Sequence, residues 1–342
     1  MSFSVHSGNG RLEYNGSSLN GLFAQRSNLL RPSFLRMVRD ILRFFRDATQ
    51  DIYRFGRHLT LGEYLSARGY SKAFVDDYLV PMTAAIWSAA PGAILEMPAL
   101  FLVRFFKNHG LLQLKDRPQW YVIEGGSREY VRRLTAGHAD RIRLNEAVTS
   151  IARTPGGVQV TSAGGGSEIY DYVFMACHSD QALALLRDPT DDERDVLGAI
   201  GYQPNEAVLH TDASVLPRRR RAWAAWNYFI PEDPHGNVAV SYNMNILQGL
   251  DTKETYVVTL NDDRRIDPGK IIRRIQYDHP MYTLETIAAQ RRQRDINCDR
   301  TFYCGAYWRN GFHEDGVVSA LDAVAHFEEK LEREELYLRR AG

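Results

Sequence analysis

The sequence predicts a mixed α/β (α+β) fold in which two kinds of structure alternate along the chain. The run 171–177 is almost continuously apolar, as in a parallel strand covered on both faces, and a helix cap follows it at 178–180. The stretch 302–321 repeats this strand-to-helix order, with glycines between the two elements. Short apolar runs between 205 and 260 instead predict antiparallel strands. The predicted parts are 1–116, 117–190, 191–296 and 297–342, of which the second and fourth are α/β.

Composition excludes several classes of protein. Lys plus Arg and Asp plus Glu both number 42, so no net charge would attract nucleic acid. The hydrophobic fraction of 44% indicates a globular chain and not a disordered one. The cysteines Cys177, Cys298 and Cys304 are too few and too scattered for a disulfide framework or a metal site. Neither a signal peptide nor an apolar run of about 18 residues occurs, so we expect a cytoplasmic protein.

The first hundred residues predict a hairpin followed by helices. Residues 3–5 and 11–14 have the pattern of two strands around a Ser-Gly-Asn-Gly turn. A helix predicted over 28–47 has one apolar face and one arginine-rich face. That face indicates either a helix for a membrane surface or anionic ligand, or an ordinary surface helix, and the acidic residues within it favour the second. Thr60 and Glu63 have the spacing of a capping box.

From residue 120 onward the predicted structure becomes α/β. Ser127 is expected to cap a helix, and 142–144 and 148–151 have the pattern of strands. The glycines at 164–166 follow a strand as a hairpin turn, so they are not expected to hold a phosphate group. The chain contains no GxGxxG, HExxH, GxSxG or Walker A motif. The sequence therefore predicts neither a metal site nor a catalytic base.

The stretch 302–321 is the strongest candidate for contact with a ligand. Glu314 and Asp315 favour a helix start there, which leaves the N–H groups of the first turn without helical acceptors. Together with the positive end of the helix dipole, these groups suit a negative or electron-rich group. An ordinary connection between a strand and a helix explains the same spacing equally well. His178 and His313 lie at strand-to-helix junctions, where a histidine either contacts a ligand or forms structural hydrogen bonds.

The residues of this stretch also resemble a known family. The segments 304–308 and 311–316, with sequences Cys-Gly-Ala-Tyr-Trp and Gly-Phe-His-Glu-Asp-Gly, look like the C-terminal flavin-contacting motif of FAD-dependent amine oxidases and phytoene desaturase-like oxidoreductases. The chain is similar in particular to a bacterial branch of predicted NAD/FAD-binding proteins. The resemblance extends over nearly the whole chain, since other segments match as well: 125–130, 176–180, 278–280 and 288–292.

The resemblance implies a flavoprotein in which an FAD-binding Rossmann-like domain is interleaved with a substrate domain. The helix start would lie against the isoalloxazine ring, with Val148 at the adenine end and Gly305 near the ribityl-pyrophosphate arm. Ala306 stands where many relatives have an acidic residue, so no side-chain contact with that arm is expected there. The implied cofactor-binding residues are Val148, Ala176, Cys177, Gly305, Ala306, Gly311, Phe312, His313, Glu314, Asp315, Gly316 and Val317.

Relatives begin with a βαβ unit that carries the dinucleotide fingerprint, and this sequence lacks the fingerprint. We therefore expect an incomplete, N-terminally truncated Rossmann-like domain with weak or absent FAD binding by this chain alone. The first hypothesis is an oxidoreductase that transfers a hydride from a C–N or C–C bond of a small or lipid-like substrate to FAD. The alternative is a non-catalytic module that binds a lipid or small molecule and touches a membrane surface peripherally. The sequence predicts neither the electron acceptor nor the oligomeric state.

Overall fold

The chain, seen in a computed structural model, is described over residues 2–55, 58–231 and 239–341. These residues form two compact units, and each unit combines two separate segments of the sequence. Within the described ranges, unit 1 contains Met1–Glu124 and Gln203–His279, and unit 2 contains Gly125–Tyr202 and Pro280–Gly342. The boundaries expected after residues 116, 190 and 296 separate the parts of an FAD-binding domain from the parts of a substrate domain. They stay a prediction.

The strands alternate with helices along the chain and belong to three sheets. They are β1 (Phe3–Ser7), β2 (Glu13–Asn15), β3 (Val148–Thr154), β4 (Gly157–Ser162), β5 (Ser167–Tyr170), β6 (Val173–Met175), β7 (Tyr202–His210), β8 (Trp226–Ile230), β9 (Ala239–Asn243), β10 (Val257–Leu260), β11 (Ile271–Pro280) and β12 (Thr301–Tyr303). The mixture of sheets and helices confirms the predicted α/β fold class.

The α-helices are mostly short, with two long exceptions. They are α1 (Leu19–Leu22), α2 (Pro32–Phe55), α3 (Leu61–Ala67), α4 (Lys72–Phe74), α5 (Val80–Trp87), α6 (Pro91–Glu96), α7 (Ala99–Asn108), α8 (Arg128–Thr135), α9 (Ser179–Leu185), α10 (Asp191–Gly198), α11 (Met244–Gln248), α12 (Leu284–Gln290), α13 (Gln293–Ile296) and α14 (His313–Ala341). A π-helical turn, Val75–Leu79, joins α4 to α5. Among the described residues, none of the helices combines the length and apolar character needed to cross a membrane.

Unit 1 is built around a seven-stranded sheet with the order β11-β7-β10-β9-β8-β1-β2. The pair β1–β8 is parallel, whereas β1–β2, β8–β9, β9–β10 and β7–β10 are antiparallel. The hairpin predicted near the N-terminus is confirmed, since Val5 of β1 lies opposite Tyr14 of β2. The predicted capping box is also confirmed, because Glu63 N donates to Thr60 Oγ1 and Thr60 N donates to Glu63 Oε2.

A row of buried polar side chains crosses this sheet. Ser4, Asn227, Ser241 and Thr259 lie opposite one another on adjacent strands, and each is at most 1% exposed. Ser4 Oγ donates to Asn227 Oδ1 at 2.7 Å, and the hydroxyls of Ser241 and Thr259 are 2.8 Å apart. His210 Nε2 lies 2.8 Å from Thr259 Oγ1. Because a buried polar atom without a partner costs free energy, these bonds favour one register of the strands.

The helices of unit 1 pack around a cluster of aromatic rings. The ring of Phe44, on α2, is fully buried and contacts the rings of four other residues: Tyr64, Tyr70, Phe74 and Phe106. Aromatic rings of this size remove a large apolar area from water, and several meet edge to face. Helix α2 continues to Phe55, beyond the predicted end at residue 47, and this continuation buries Ala48 and Ile52.

Unit 2 contains two smaller sheets. The strands β3, β4 and β5 form an antiparallel meander, and β6 pairs in parallel with β12. A core cluster formed by the helices and strands of this unit includes Leu197, Ile200, Tyr303 and Trp308, each at most 4% exposed. This core holds the carboxyl ends of β6 and β12 in place.

Three expectations for unit 2 are wrong. The apolar run 171–177 forms only the three-residue strand β6, and Phe174 is 40% exposed, so the strand is not covered on both faces. Ser127 has helical backbone angles and makes no capping hydrogen bond through its side chain. Residues 142–144 are not a strand, and Leu144 is 80% exposed. In each case the local sequence pattern was suitable for the predicted structure. Among the described residues, however, the fold provides no covering layer over one face of β6, no capping geometry at Ser127 and no partner strand for 142–144.

Candidate functional site

The carboxyl ends of β6 and β12 meet at one edge of unit 2. Phe302 lies opposite Phe174 and Tyr303 opposite Met175, and Cys304 N donates to Met175 O at 3.0 Å just beyond the paired residues. A helix follows each strand, α9 after β6 and α14 after β12. Ligands in α/β sheets bind in the crevice outside the carboxyl ends of parallel strands. This edge is therefore the candidate site.

The first turn of α14 presents unpaired backbone donors. The first helical hydrogen bond runs from Gly316 N to Phe312 O, at 3.1 Å. Within the described part of the chain, the N–H groups of His313, Glu314 and Asp315 have no acceptor. These groups carry the positive end of the dipole of a 29-residue helix, so they attract a negative or electron-rich group.

The two acidic side chains of this turn differ in their contacts. The carboxylate of Asp315 accepts the N–H of Phe312 at 3.0 Å, which closes the loop in front of the helix. Glu314 is exposed to solvent. Both carboxylates stabilise the helix start, as expected for acids in a first turn. They leave the three backbone donors unoccupied.

The loop between β12 and α14 has a geometry that requires glycine. Gly311 has φ +93°, and a Cβ atom there would lie 2.6 Å from Tyr282 Oη. Gly305 N donates to Ser319 Oγ at 2.8 Å, and that hydroxyl donates to Gly316 O at 2.9 Å. The fully buried Ser319 side chain thus ties the end of the strand to the first turn of the helix. A Cβ atom at Gly316 would lie 3.9 Å from Ala306 N, which is an ordinary van der Waals contact.

His313 pairs with a side chain far away in the sequence. The hydroxyl of Tyr130, on α8, lies 2.7 Å from His313 Nδ1, and the two rings meet edge to face. Helix α8 has no buried residue, so this pair is a principal attachment of α8 to the site. His178, the other histidine at a junction, stacks on Tyr202 with ring centroids 4.5 Å apart. Stacking favours the structural alternative for His178.

An apolar cavity of about 640 Å³ adjoins the carboxyl end of β6. Its walls include Val148, Ala176 and Cys177, three residues that the sequence assigned to cofactor binding. Phe174 also lines the cavity and stacks on Phe302 at 5.0 Å. The structure therefore brings these three predicted residues together in one recess.

The thiol that lines this recess, Cys177, is neutral, and so are two other buried ionisable groups of unit 2. Burial raises the pKa of the Cys177 thiol, and burial likewise raises the pKa of Cys304. Burial also raises the pKa of Tyr202 to about 12, although Ser179 donates hydrogen bonds to its hydroxyl. Both thiols and the phenol are thus protonated near neutral pH, and none of them is a nucleophile or base there. No group of acidic, histidine or cysteine side chains suited to a metal ion occurs among the described residues.

The predicted cofactor-binding residues occupy two places in unit 2. One group forms the loop and first turn before and within α14: Gly305, Ala306, Gly311, Phe312, His313, Glu314, Asp315, Gly316 and Val317. The other group, Val148, Ala176 and Cys177, lines the cavity. Sequence analysis missed Tyr130 and Ser319, because each acts through a partner that only the fold brings near.

The residues present fit the electron-rich edge of a flavin ring. The fit rests on the three unpaired N–H groups of the first turn of α14, in which Gly316 carries no side chain. Val317 is 49% exposed beside them and offers an apolar contact. A flat, electron-rich ring matches donors along one edge and apolar groups beneath it.

Comparisons with known proteins agree with this fold. The chain is similar to the crystal structure of a CLA-producing fatty acid isomerase from P. acnes, with a TM-score of 0.60 and 15% identity over 96% of this chain and 80% of that one. It is similar to cyclohexylamine oxidase from Brevibacterium oxydans, with a TM-score of 0.53 and 14% identity over 80% of this chain and 68% of that one. It is also similar to putrescine oxidase bound to putrescine, with a TM-score of 0.58 and 13% identity over 95% of this chain and 81% of that one.

At these identities the solved structures show a shared fold and nothing finer. A search of curated protein sequences found no match. The family model of flavin-containing amine oxidoreductases matches residues 4–228, which is about two thirds of the chain. The chain therefore belongs to the family of flavin-containing amine oxidoreductases.

Proposed function

We propose that this protein is an FAD-dependent oxidoreductase of the amine oxidase type. Its reaction oxidises a C–N or C–C bond of a small or lipid-like substrate, with the hydride of the adjoining C–H bond transferred to FAD. FAD, when bound, supplies the two-electron acceptor, and the protein binds, orients and excludes water. Membership of the family supports the reaction class. The solved relatives are named for a fatty acid, a cyclic amine and a diamine, so the shared fold leaves the substrate open.

The single observation that carries the proposal is the set of free N–H groups at the start of α14. On this account, the backbone of His313, Glu314 and Asp315 holds the pyrimidine edge of the flavin. Gly316 carries no side chain one turn from these donors, and a Cβ there would lie at contact distance from Ala306 N, 3.9 Å away. The α14 start lies outside the family-matched residues 4–228, so its role rests on this geometry.

The second contact proposed is at the cavity beside β6. Val148 begins β3, where the pairing with β4 is irregular between residues 148 and 150. An irregular ladder frees main-chain groups for a ligand, in this account the adenine end of FAD. Ala176 and Cys177 would line the apolar wall. Because the sequence contains no glycine-rich dinucleotide fingerprint, we propose that this chain alone binds FAD weakly or not at all.

A titration with riboflavin, which carries the ring without the pyrophosphate, tests the ring contact. Gly316→Asp places a carboxylate beside the three N–H donors, so we expect riboflavin affinity to fall at least about tenfold. Leu331→Asp makes the same charge change farther along α14, at a position that is 40% exposed, and should leave the affinity unchanged. Quenching of riboflavin fluorescence measures both. Equal affinities for the two variants would contradict the ring site.

The second candidate function is a non-catalytic module for a lipid or small molecule. A partly open apolar cavity in unit 1 favours it. The basic face of α2 gives little support to a membrane role, because Arg43 lies over the ring of Tyr70 at 4.1 Å and Arg46 pairs with Asp47. Flotation with anionic vesicles distinguishes the two functions. A chain that floats and never binds riboflavin would favour the module.

A further inference from the structure

Unit 1 contains a second cavity that the flavin site does not use. It has a volume of about 290 Å³, and its walls come from β1, β2, α1, α2, the π-helical turn, α5 and residues 111–117. Most of the lining is apolar and includes Phe3, Tyr14, Ile41, Phe45 and Met82. These five side chains come from β1, β2, α2 and α5, which are separate in the sequence. The cavity therefore exists only in the folded chain.

One charged residue lines this cavity. Arg117 is the only ionisable cation or anion among the lining residues, apart from tyrosine hydroxyls. Its Nε donates to Gln113 O at 2.7 Å, and no carboxylate lies within ion-pair distance of its guanidinium in the described part of the chain. An arginine without an acidic partner beside an apolar cavity is suited to a ligand anion, which it can bind through two parallel hydrogen bonds.

The polar end of the cavity also contains a tyrosine. Burial raises the pKa of Tyr78, and the positive charge of Arg117 only partly opposes this rise. The Tyr78 hydroxyl is therefore protonated at neutral pH and can donate a hydrogen bond. The other lining tyrosine, Tyr14, already donates to Asp77 O at 2.7 Å. A neutral donor and a guanidinium together complement a carboxylate.

The rim of the cavity is apolar and exposed. Leu19 is 76% exposed, Leu114 is 65% exposed and Leu42 is 46% exposed, and all three line the cavity. Large side chains left in water around a partly open apolar space mark a place where an apolar ligand gains contact on entering. The ligand that matches this arrangement has a hydrocarbon body and one anionic group.

We propose that the unit 1 cavity binds the hydrocarbon chain of an aliphatic monocarboxylate, with its carboxylate held by Arg117 and the Tyr78 hydroxyl. An aliphatic amine fits less well, because its ammonium would meet the guanidinium and find no acid in the lining. A neutral alcohol gains the apolar contacts but not the charge-assisted bond. This names the class of the lipid-like ligand in the proposed function, and binding of the acid does not itself require flavin.

Competition binding on the full chain tests the proposal. A fluorescent probe acid, dansylaminoundecanoate, is displaced by decanoate, decanol or decylamine at neutral pH. We expect decanoate to bind at least about tenfold more tightly than decanol, and decylamine to bind most weakly, because a charge-assisted bond of this kind adds roughly a tenfold to hundredfold preference. Equal affinity for decanoate and decylamine would overturn the proposal.

Variants locate the binding in the cavity. Arg117→Gln should weaken decanoate about tenfold or more and leave decanol unchanged. Arg39→Gln, an exposed arginine on α2 that does not line the cavity, is the matched control and should change neither. Val38→Phe and Ile41→Phe both fill the space from α2 and should weaken both ligands, and circular dichroism identifies a variant that has not folded. Unchanged decanoate binding in Arg117→Gln would contradict the assignment.

Two further measurements distinguish binding in the cavity from a membrane contact and from the flavin site. Vesicles of phosphatidylcholine and phosphatidylglycerol without free acid should not displace the probe. Displacement by vesicles that is independent of Arg117 would mean a membrane contact and would overturn the cavity assignment. Riboflavin binding by the same preparations reads the flavin site separately. Loss of acid binding with riboflavin binding intact would count against this inference alone.

Discussion

The two units differ in the size of their sheets and in how apolar side chains pack on them. Unit 1 encloses a seven-stranded sheet whose central polar row is buried, and its helices pack on a closed aromatic cluster. Unit 2 has sheets of two and three strands and leaves large apolar side chains in water. Phe174 is 40% exposed, Leu321 is 63% exposed, and α8 buries none of its residues. Unit 1 also leaves apolar side chains in water, such as Leu19, so the difference lies in the sheets: unit 1 contains one large sheet, and unit 2 contains two small ones.

The comparison also separates two kinds of ligand contact. In unit 1 the candidate ligand groups are side chains, the exposed Arg117 and the buried Tyr78, which line a partly open apolar cavity. In unit 2 they are backbone N–H groups at the start of α14, held by a glycine-containing loop. Side-chain contacts select ligand charge, and backbone donors accept any electron-rich edge of suitable shape. Variants that affect one unit and spare the other test this contrast.

The largest effect is expected from the ion pair in unit 2. Glu193 has a side chain that is 2% exposed, and it accepts bonds from Arg153 Nη1 at 2.7 Å and from Tyr303 Oη at 2.6 Å. Glu193→Ala removes one of the two carboxylates that pair with Arg153, the other being Asp188 at 2.9 Å, and also removes the acceptor of Tyr303 and the capping box with Thr190. We therefore expect a loss of about 3–5 kcal/mol in the free energy of opening unit 2. Native-state hydrogen exchange at β3 and β12 measures it. Equal loss of protection in β9 of unit 1 would contradict the separation of the units.

The next largest effect is expected from the polar row in unit 1. The Asn227 side chain makes four hydrogen bonds, with Ser4 Oγ, Ala224 N, Ala224 O and Ser241 O. Asn227→Ala leaves several buried groups without partners, so we expect a loss of about 3 kcal/mol in the stability of unit 1. Asn20→Ala, at an exposed asparagine, should stay within about 0.5 kcal/mol. Urea unfolding followed by tryptophan fluorescence compares the two, and similar midpoints would refute the structural role of the row.

A smaller effect concerns acid stability in unit 1. Burial would raise the pKa of Asp212, but the N–H groups of Asp267 and Ser214 and the ammonium of Lys270 outweigh it and lower the pKa from 3.8 to about 2. A lowered pKa means stability that is present above pH 3.8 and is lost as the pH falls toward 2. Asp212→Asn should therefore show less change in stability between pH 4 and pH 2 than the parent chain. Parallel pH profiles for both proteins would count against this contact.

The smallest effect is expected at the first turn of α14. Gly316→Ala should raise the stability of unit 2 by about 1 kcal/mol, because alanine favours helix and the position has room for a methyl group. The same methyl group occupies the space beside the free N–H groups, so riboflavin affinity should fall. Hydrogen exchange and riboflavin titration read the two effects separately. A stabilised variant with tighter riboflavin binding would show that the ring does not approach Gly316.

Local patterns predicted local structure well. The hairpin of β1 and β2, the capping box at Thr60 and the helix start after residue 311 all depend on residues close in sequence. The apolar run at 171–177 correctly predicted a strand. The number of strands that pair with it depends on chain segments far away in the sequence, and among the described residues β6 pairs only with β12. A strand pattern alone does not specify what covers the strand.

Site prediction had the same limit. The loop and first turn of α14 followed from glycines and acids within a few residues of one another. The contacts that hold this turn did not, since Tyr130 reaches His313 across 183 positions and Ser319 holds Gly305 only after the helix has formed. The unit 1 cavity could not be predicted from the sequence either, because its lining residues come from segments spread between Phe3 and Arg117.

The central claim is that this chain binds the flavin ring through the backbone at the start of α14, and that its contact with the adenine end beside β6 adds little affinity. The ratio of riboflavin to FAD affinity, measured by fluorescence quenching under one set of conditions, tests it most directly. We expect the two dissociation constants to agree within about threefold, since both ligands share the ring and the arm adds little. FAD binding more than about a hundredfold tighter than riboflavin, or purification as a yellow protein with one flavin per chain, would contradict the account.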